Sequence, residues 1–192
     1  MFSAVYLNFM RIIGGNSLLD AGYLLKKAQI SEGMKVADLG CGSSGYFVFH
    51  SADLVGKKGK VYAVDILKTV LETIDRRIRQ DAYDNVEIVW SDIEVFKATK
   101  IESSSLDVAL LINTLYQSHK QAEILRETTR MLKKGGYLLI AEWKNTASPL
   151  GPAIKERVNP DLIKIAAKKS GIDIKEEFEA GQYHYGMLFV KM

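Results

Sequence analysis

"VADLGCGSSGYF", residues 36–47, decides the fold of this chain. A short apolar run leads into Gly40, Gly42 and Gly45, spaced G-x-G-x-x-G, and "YFVFHSADLV" follows with the composition of a helix. Strand, glycine turn and helix in that order let a backbone approach a ligand without side-chain collision. A second apolar run, "VYAVDI", ends on Asp65, 20 residues past Gly45. An acidic group at the end of the neighbouring strand is placed to accept hydrogen bonds from ribose hydroxyls, so the pair of features implies a bound nucleoside.

Working outward, short Val-, Ile- and Leu-rich runs alternate with helical patterns, as expected of a parallel sheet covered by helices on both faces. In "LKTVLETIDRRIRQ" the residues Leu67, Val70, Leu71, Ile74 and Ile78 fall three or four apart, which makes one helical face apolar and the other charged. "VEIVW", "DVALLIN" and "GYLLIAEW" read as the third, fourth and fifth strands. "KQAEILRETTRMLKKG" is the helix between the last two, with Ser118 and Gln121 as a capping box and Gly135 as its stop. Near the C-terminus, Asn159 followed by Pro160 starts a helix that Gly171 ends. "IDIKEEFEA" and "YHYGMLFVKM" then form strands joined by a short turn at Gly181, an antiparallel hairpin at one edge of the sheet.

With 192 residues, 47% hydrophobic and 26% charged, the chain reads as one domain over residues 1–192. The single Cys41 supports neither a disulfide framework nor a Cys/His metal site, so no metal is expected and a reducing compartment, the cytoplasm, fits. "MFSAVYLNFM" lacks a basic leader and a long apolar run, which argues against a membrane span. The formal net charge of +3 comes from dispersed lysines rather than from a basic stripe, so no nucleic-acid partner is expected.

Asp38 narrows the ligand. A dinucleotide would bring two phosphate charges to the helix N-terminus, where an unpaired carboxylate repels them. S-adenosylmethionine carries a sulfonium and an ammonium instead, and toward these Asp38 is attractive.

Five segments in order then resemble the class I S-adenosylmethionine-dependent methyltransferases: "VADLGCGSSG", "VYAVDI", "SDIE", "LDVALLINTLYQ" and "RMLKKGGYLLIAEW". The resemblance implies a Rossmann-like three-layer α/β/α sandwich. Its seven-stranded, mostly parallel sheet would have the order 3-2-1-4-5-7-6, with strand 7 antiparallel. It also implies that Gly40, Cys41 and Gly42 line the methionine portion of the cofactor, Asp65 holds the ribose, Ile66 packs on adenine, Asp92 and Ile93 meet the adenine edge, and Asn113 sits beside the sulfur. Within the class the chain is most similar to quinone-biosynthesis methyltransferases, which act on small molecules. A small-molecule methyl acceptor is the expected partner.

Plainer roles stand beside these. Asp65 and Asp92 would also serve as strand-end caps, Ile66 as core, and Ser43 and Ser44 as caps or carboxylate contacts. Trp90 and Trp143 are expected to pack under helices. Methyl transfer from a sulfonium asks mainly for alignment, so a general base is optional. Tyr116, His119, Glu142, Lys144 and His184 are the titratable candidates, but His119 also fits an exposed helix start, Glu142 a lysine pair and His184 a turn or edge strand. No catalytic residue is assigned. Residues 1–33 read either as a lid, hinged at the paired glycines of "YLNFMRIIGGNS" with Tyr6, Phe9 and Met10 as an apolar ceiling, or as a helix packed on the sheet. A binding module without turnover and a nicotinamide-dependent oxidoreductase are the alternatives; Asp38 and the 50 residues after Glu142 disfavour the latter.

Overall fold

The computed structural model describes residues 15–192, so Tyr6, Phe9 and Met10 lie outside the described residues. Seven strands form one sheet: β1 (Lys35–Leu39), β2 (Lys60–Asp65), β3 (Val86–Trp90), β4 (Leu106–Ile112), β5 (Leu132–Trp143), β6 (Ile172–Glu179) and β7 (His184–Lys191). Their order is β3-β2-β1-β4-β5-β7-β6, with β7 antiparallel to both neighbours and β6 outermost, as expected. Among the described residues five α-helices flank it: α1 (Ala21–Lys27), α2 (Tyr46–Val55), α3 (Lys68–Asp81), α4 (Gln121–Met131) and α5 (Pro160–Lys169). Among the described residues no helix is long and apolar enough to cross a membrane.

The period-2 alternation of the strands builds two cores, one on each face of the sheet. On one face Val108, Leu110 and Ile112 of β4 meet Leu139 and Ala141 of β5 beneath α1, α2 and α3. On the other, Ala109, Leu111, Leu138 and Ile140 pack against Ile124 and Leu125 of α4 and Ile163 of α5. Because β1 and β4 are buried on both faces, their C-terminal ends are held firmly, and those ends carry the loops of the site.

Several sequence expectations need local correction. The helix before β5 stops at Met131 rather than running to Gly135. Its last carbonyls are claimed by other groups: Ser104 N–H donates to Arg130 O at 2.9 Å, Ser105 N–H to Met131 O at 2.9 Å, and Lys191 Nζ to Thr129 O at 2.8 Å. Leu132 is thereby free to become extended and to pair with Leu106. The capping box is also absent. Lys120 is the N-cap, and Ser118 Oγ accepts from Lys120 N–H at 2.8 Å. Trp90 is 59% exposed because β3 is an edge strand, whereas Trp143, inside the sheet, is buried as expected. By contrast, Asn159 caps α5 through Asp161 N–H at 2.9 Å with Pro160 at the first helical position, as its sequence requires.

A candidate nucleoside site at the carboxyl ends of the strands

The loops after β1, β2, β3 and β4 enclose a cleft of about 380 Å³. Six of the expected site residues line it, namely Gly40, Gly42, Asp65, Ile66, Asp92 and Ile93. Asp38, Cys41 and Asn113 lie behind its wall, and each is buried.

The glycine turn is set by its own backbone. Gly40 N–H and Cys41 N–H both donate to Val64 O, at 2.8 and 3.0 Å, which ties the turn to β2. Gly40 has φ +83° and a Cβ there would lie 2.8 Å from the Thr114 side chain, so the close crossing of the β1 and β4 ends excludes any larger residue. Gly42 has φ +64°, and a Cβ there would meet nothing within 4 Å. Its open side faces the cleft, which is the space a ligand needs. Neither Ser43 nor Ser44 caps α2: Gly45 is the N-cap, with no side-chain hydrogen bond.

Asp65 joins two loops. One carboxylate oxygen accepts from Gly42 N–H at 3.2 Å and the other from Leu67 N–H at 2.9 Å. A carboxylate has about four acceptor positions, so two remain for a pair of hydroxyls. The cap and ligand roles are therefore compatible in one side chain. Asp92 repeats the pattern after β3, where one oxygen caps Glu94 N–H at 2.9 Å. Ile66 is 55% exposed rather than part of the core, an apolar flank at the cleft edge. Trp90 steadies it by donating from Nε1 to Ile66 O at 2.8 Å.

Behind the glycine turn, Asp38 is 2% exposed and its Oδ2 has no hydrogen-bond partner among the described residues. Burial, reinforced by the charge of Asp65, pushes its carboxyl up to about 7. Such a group is readily ionised by a nearby cation. Burial pushes the Cys41 thiol far up as well, so this side chain packs and is not a nucleophile.

The wall contributed by the β4 end was only partly legible in sequence. Thr114, Gln117, Ser118 and Ile124 line the cleft, together with Leu67, Val70, Ser91 and Glu94. Thr114 Oγ1 donates to Leu39 O at 3.0 Å, fastening β4 to β1, and Ser118 Oγ donates to Glu94 Oε1 at 2.5 Å, bridging two loops of the cleft. Thr114 and Gln117 belong to the fourth-strand segment "LDVALLINTLYQ" and Ser118 to the expected capping box, but nothing in the sequence assigned their side chains to the cleft wall. The titratable candidates also move. Glu142 has no lysine partner; it is fully buried, accepts from Leu115 N–H at 2.6 Å, and desolvation pushes it up to about 8. His184 is fully buried on an interior strand rather than in a turn or at an edge. His119 is exposed just ahead of α4 and Tyr116 is half-buried on the 3₁₀ turn after β4.

A mixed sheet of this order, with a glycine turn after β1 and acidic residues ending β2 and following β3, is the arrangement of S-adenosylmethionine-dependent methyltransferases. The chain belongs to the family described as "Methyltransferase domain", whose profile matches residues 30–170. It is 29% identical over 143 residues to the demethylmenaquinone methyltransferase of Lactococcus lactis, covering 71% of this chain and 54% of that one. To the ubiquinone/menaquinone biosynthesis C-methyltransferase UbiE of Bordetella parapertussis it is 30% identical over 145 residues, covering 72% and 54%. The chain thus spans about half the length of the curated relatives it matches. Its fold is shared with the crystal structure of a SAM-dependent methyltransferase from Aquifex aeolicus, at a TM-score of 0.85 and 24% identity over 100% of both chains.

Proposed function

We propose that this chain transfers the methyl group of S-adenosylmethionine to a small-molecule acceptor. The observation that carries this reading is the pair of carboxylates at the ends of β1 and β2, with Asp38 buried and its Oδ2 unpartnered among the described residues, and Asp65 half-open to the cleft. A phosphate-bearing ligand would meet the Asp65 carboxylate and disfavour ionisation of Asp38 behind it, whereas a cationic ligand would be attracted by the first and would ionise the second.

In this reading Asp65 receives the ribose hydroxyls, Ile66 and Ile93 flank the adenine, and Asp92 takes its amino group. Gly40, Cys41 and Gly42 border the methionine portion, Asp38 compensates its positive charge from behind the turn, and Asn113 lies near the sulfur. When bound, the cofactor supplies an electrophilic methyl on a sulfonium. The protein's contribution is alignment and exclusion of water, for which rigid strand ends are suited. No proton need be removed if the acceptor atom is already nucleophilic. The names of the relatives make demethylated quinols the first acceptors to assay.

Calorimetry with S-adenosylmethionine and S-adenosylhomocysteine tests the reading, and micromolar binding of both is expected. Incubation with the cofactor and metabolite extracts, followed by mass spectrometry, should then reveal new methylated species. Absence of heat with either ligand would remove the proposal.

A further inference from the structure

Asn113 follows β4 directly in the left-handed region, with φ +54°, a conformation that asparagine tolerates better than most side chains. All of its polar groups are engaged. Its backbone N–H donates to Ala141 O at 2.9 Å and its carbonyl accepts from Gln117 Nε2 at 2.8 Å. Its side-chain Nδ2 donates to Asn16 Oδ1 at 2.9 Å, and its Oδ1 faces His184 Nε2 at 3.0 Å. With the amide in this orientation its oxygen accepts, which assigns the proton of the neutral His184 ring to Nε2 and leaves Nδ1 bare.

That assignment makes His184 an unusual choice for its place. The ring is fully buried, lies tilted by 40° against Trp143 with centroids 4.1 Å apart, and leaves Nδ1 without a partner among the described residues. A buried unpaired acceptor destabilises a fold, and an apolar ring such as phenylalanine would carry none. What phenylalanine lacks is the donor aimed at Asn113. Burial, with Lys144 and Arg157 nearby, keeps the imidazole neutral down to about 4, so this donor has one fixed form across the physiological range.

We infer that His184 is a positioning residue for methyl transfer: through Nε2–H it fixes the Asn113 amide, and through Asn113 the Asn16 turn, at the β4 end of the cleft. The inference rests on the proposed function, because it places Asn113 near the methionine portion of the cofactor. Without the histidine donor the amide keeps only Asn16 as a side-chain partner, so the β4 end and the Gly15–Leu18 turn are held together less firmly. The adenosine portion, held at Asp65 and Asp92 on other strands, is untouched.

The test is a calorimetric comparison of S-adenosylmethionine and adenosine binding to the wild type, His184→Phe, His184→Gln, Asn113→Ala and the His184→Phe/Asn113→Ala double variant. His184→Phe should weaken S-adenosylmethionine about tenfold and leave adenosine unchanged, as expected for one lost hydrogen bond at the methionine end. Glutamine, which retains a donor, should restore most of the affinity, and the double variant should bind no more weakly than Asn113→Ala alone. Equal losses for both ligands, additive losses in the double variant, or a glutamine variant no better than phenylalanine would overturn the assignment. Should the phenylalanine variant not fold, Asn113→Ala alone decides: unchanged S-adenosylmethionine affinity there also overturns it. A wild type that binds neither ligand removes the functional reading itself, a result distinct from all of these.

Discussion

Asp65 acts on Asp38 across the β1–β2 seam: its charge adds to burial in raising the Asp38 carboxyl to about 7, although no hydrogen bond links the two. A cationic ligand placed near Asp38 must reverse that shift. Below about pH 7 Asp38 is largely protonated without ligand, so S-adenosylmethionine binding should release a proton and weaken as pH falls through 7. Titration in two buffers of different ionisation enthalpy measures that proton. Asp38→Asn should abolish the release, and a wild type that binds equally well from pH 5.5 to 8 with no proton exchange would contradict this role.

Asp65→Ala removes two charge-assisted acceptors and, with them, the tie between Gly42 and Leu67. Cofactor affinity should drop by about ten- to a hundredfold, the range for hydrogen bonds to a charged group. Asp65→Asn keeps one acceptor and should fall between wild type and alanine. Equilibrium binding by all three proteins is the check, and full affinity in the alanine variant would refute the assignment.

The buried acids also set the stability of the unliganded protein. Folded Asp38 and Glu142 hold their protons to about 7 and about 8, whereas the unfolded chain releases them near 3.8 and 4.5. The folded state therefore binds more protons between those limits, and stability falls as pH rises through the window. Asp38→Asn and Glu142→Gln should each stabilise the protein at pH 8, by on the order of 2–4 kcal/mol, and by little at pH 4. Melting curves at the two pH values measure the difference.

His184 works in the opposite direction. It stays neutral when folded down to about 4 and would protonate near 6.5 when unfolded. Its contribution is constant above about 6.5 and is lost as pH falls from there toward 4. His184→Gln should flatten the acid limb of the stability curve, and an unchanged limb would show that the ring is accessible to protons.

Arg130 and Glu127 form a buried pair away from the cleft, with Arg130 Nη2 2.8 Å from Glu127 Oε1. Glu127 also accepts from Lys97 N–H at 2.8 Å and Thr99 N–H at 3.1 Å, so the pair fastens the loop between β3 and β4 to α4. Arg130→Ala strands the carboxylate and should cost about 3–5 kcal/mol by chemical denaturation. A cost below about 1 kcal/mol would mean that water reaches Glu127.

What the sequence made legible was whatever depends on local order along the chain. The strand–glycine–helix unit at 36–47, the acidic end of "VYAVDI" and the Asn159-Pro160 helix start each carry their signal within a few residues, and each stands where expected. The misread features depend on partners distant in sequence. The helix ends at Met131 because Lys191 and the 104–105 backbone take its carbonyls. Trp90 is exposed because, among the described residues, no strand lies beyond β3. Glu142 is buried because the turn after β4 lends it a backbone N–H, and His184 is buried because β7 enters beside β5. Six cleft residues were legible because they follow strands directly, whereas Thr114, Gln117 and Ser118 owe their places to a turn whose shape no local pattern announces.

The central claim is that the strand-end carboxylates favour a cationic nucleoside over a diphosphate. Parallel calorimetric titrations with S-adenosylmethionine and with reduced nicotinamide dinucleotide at pH 7.5 test it most directly. The account predicts micromolar binding of the first and no heat from the second. Saturable binding of the dinucleotide, with none of S-adenosylmethionine, would contradict it.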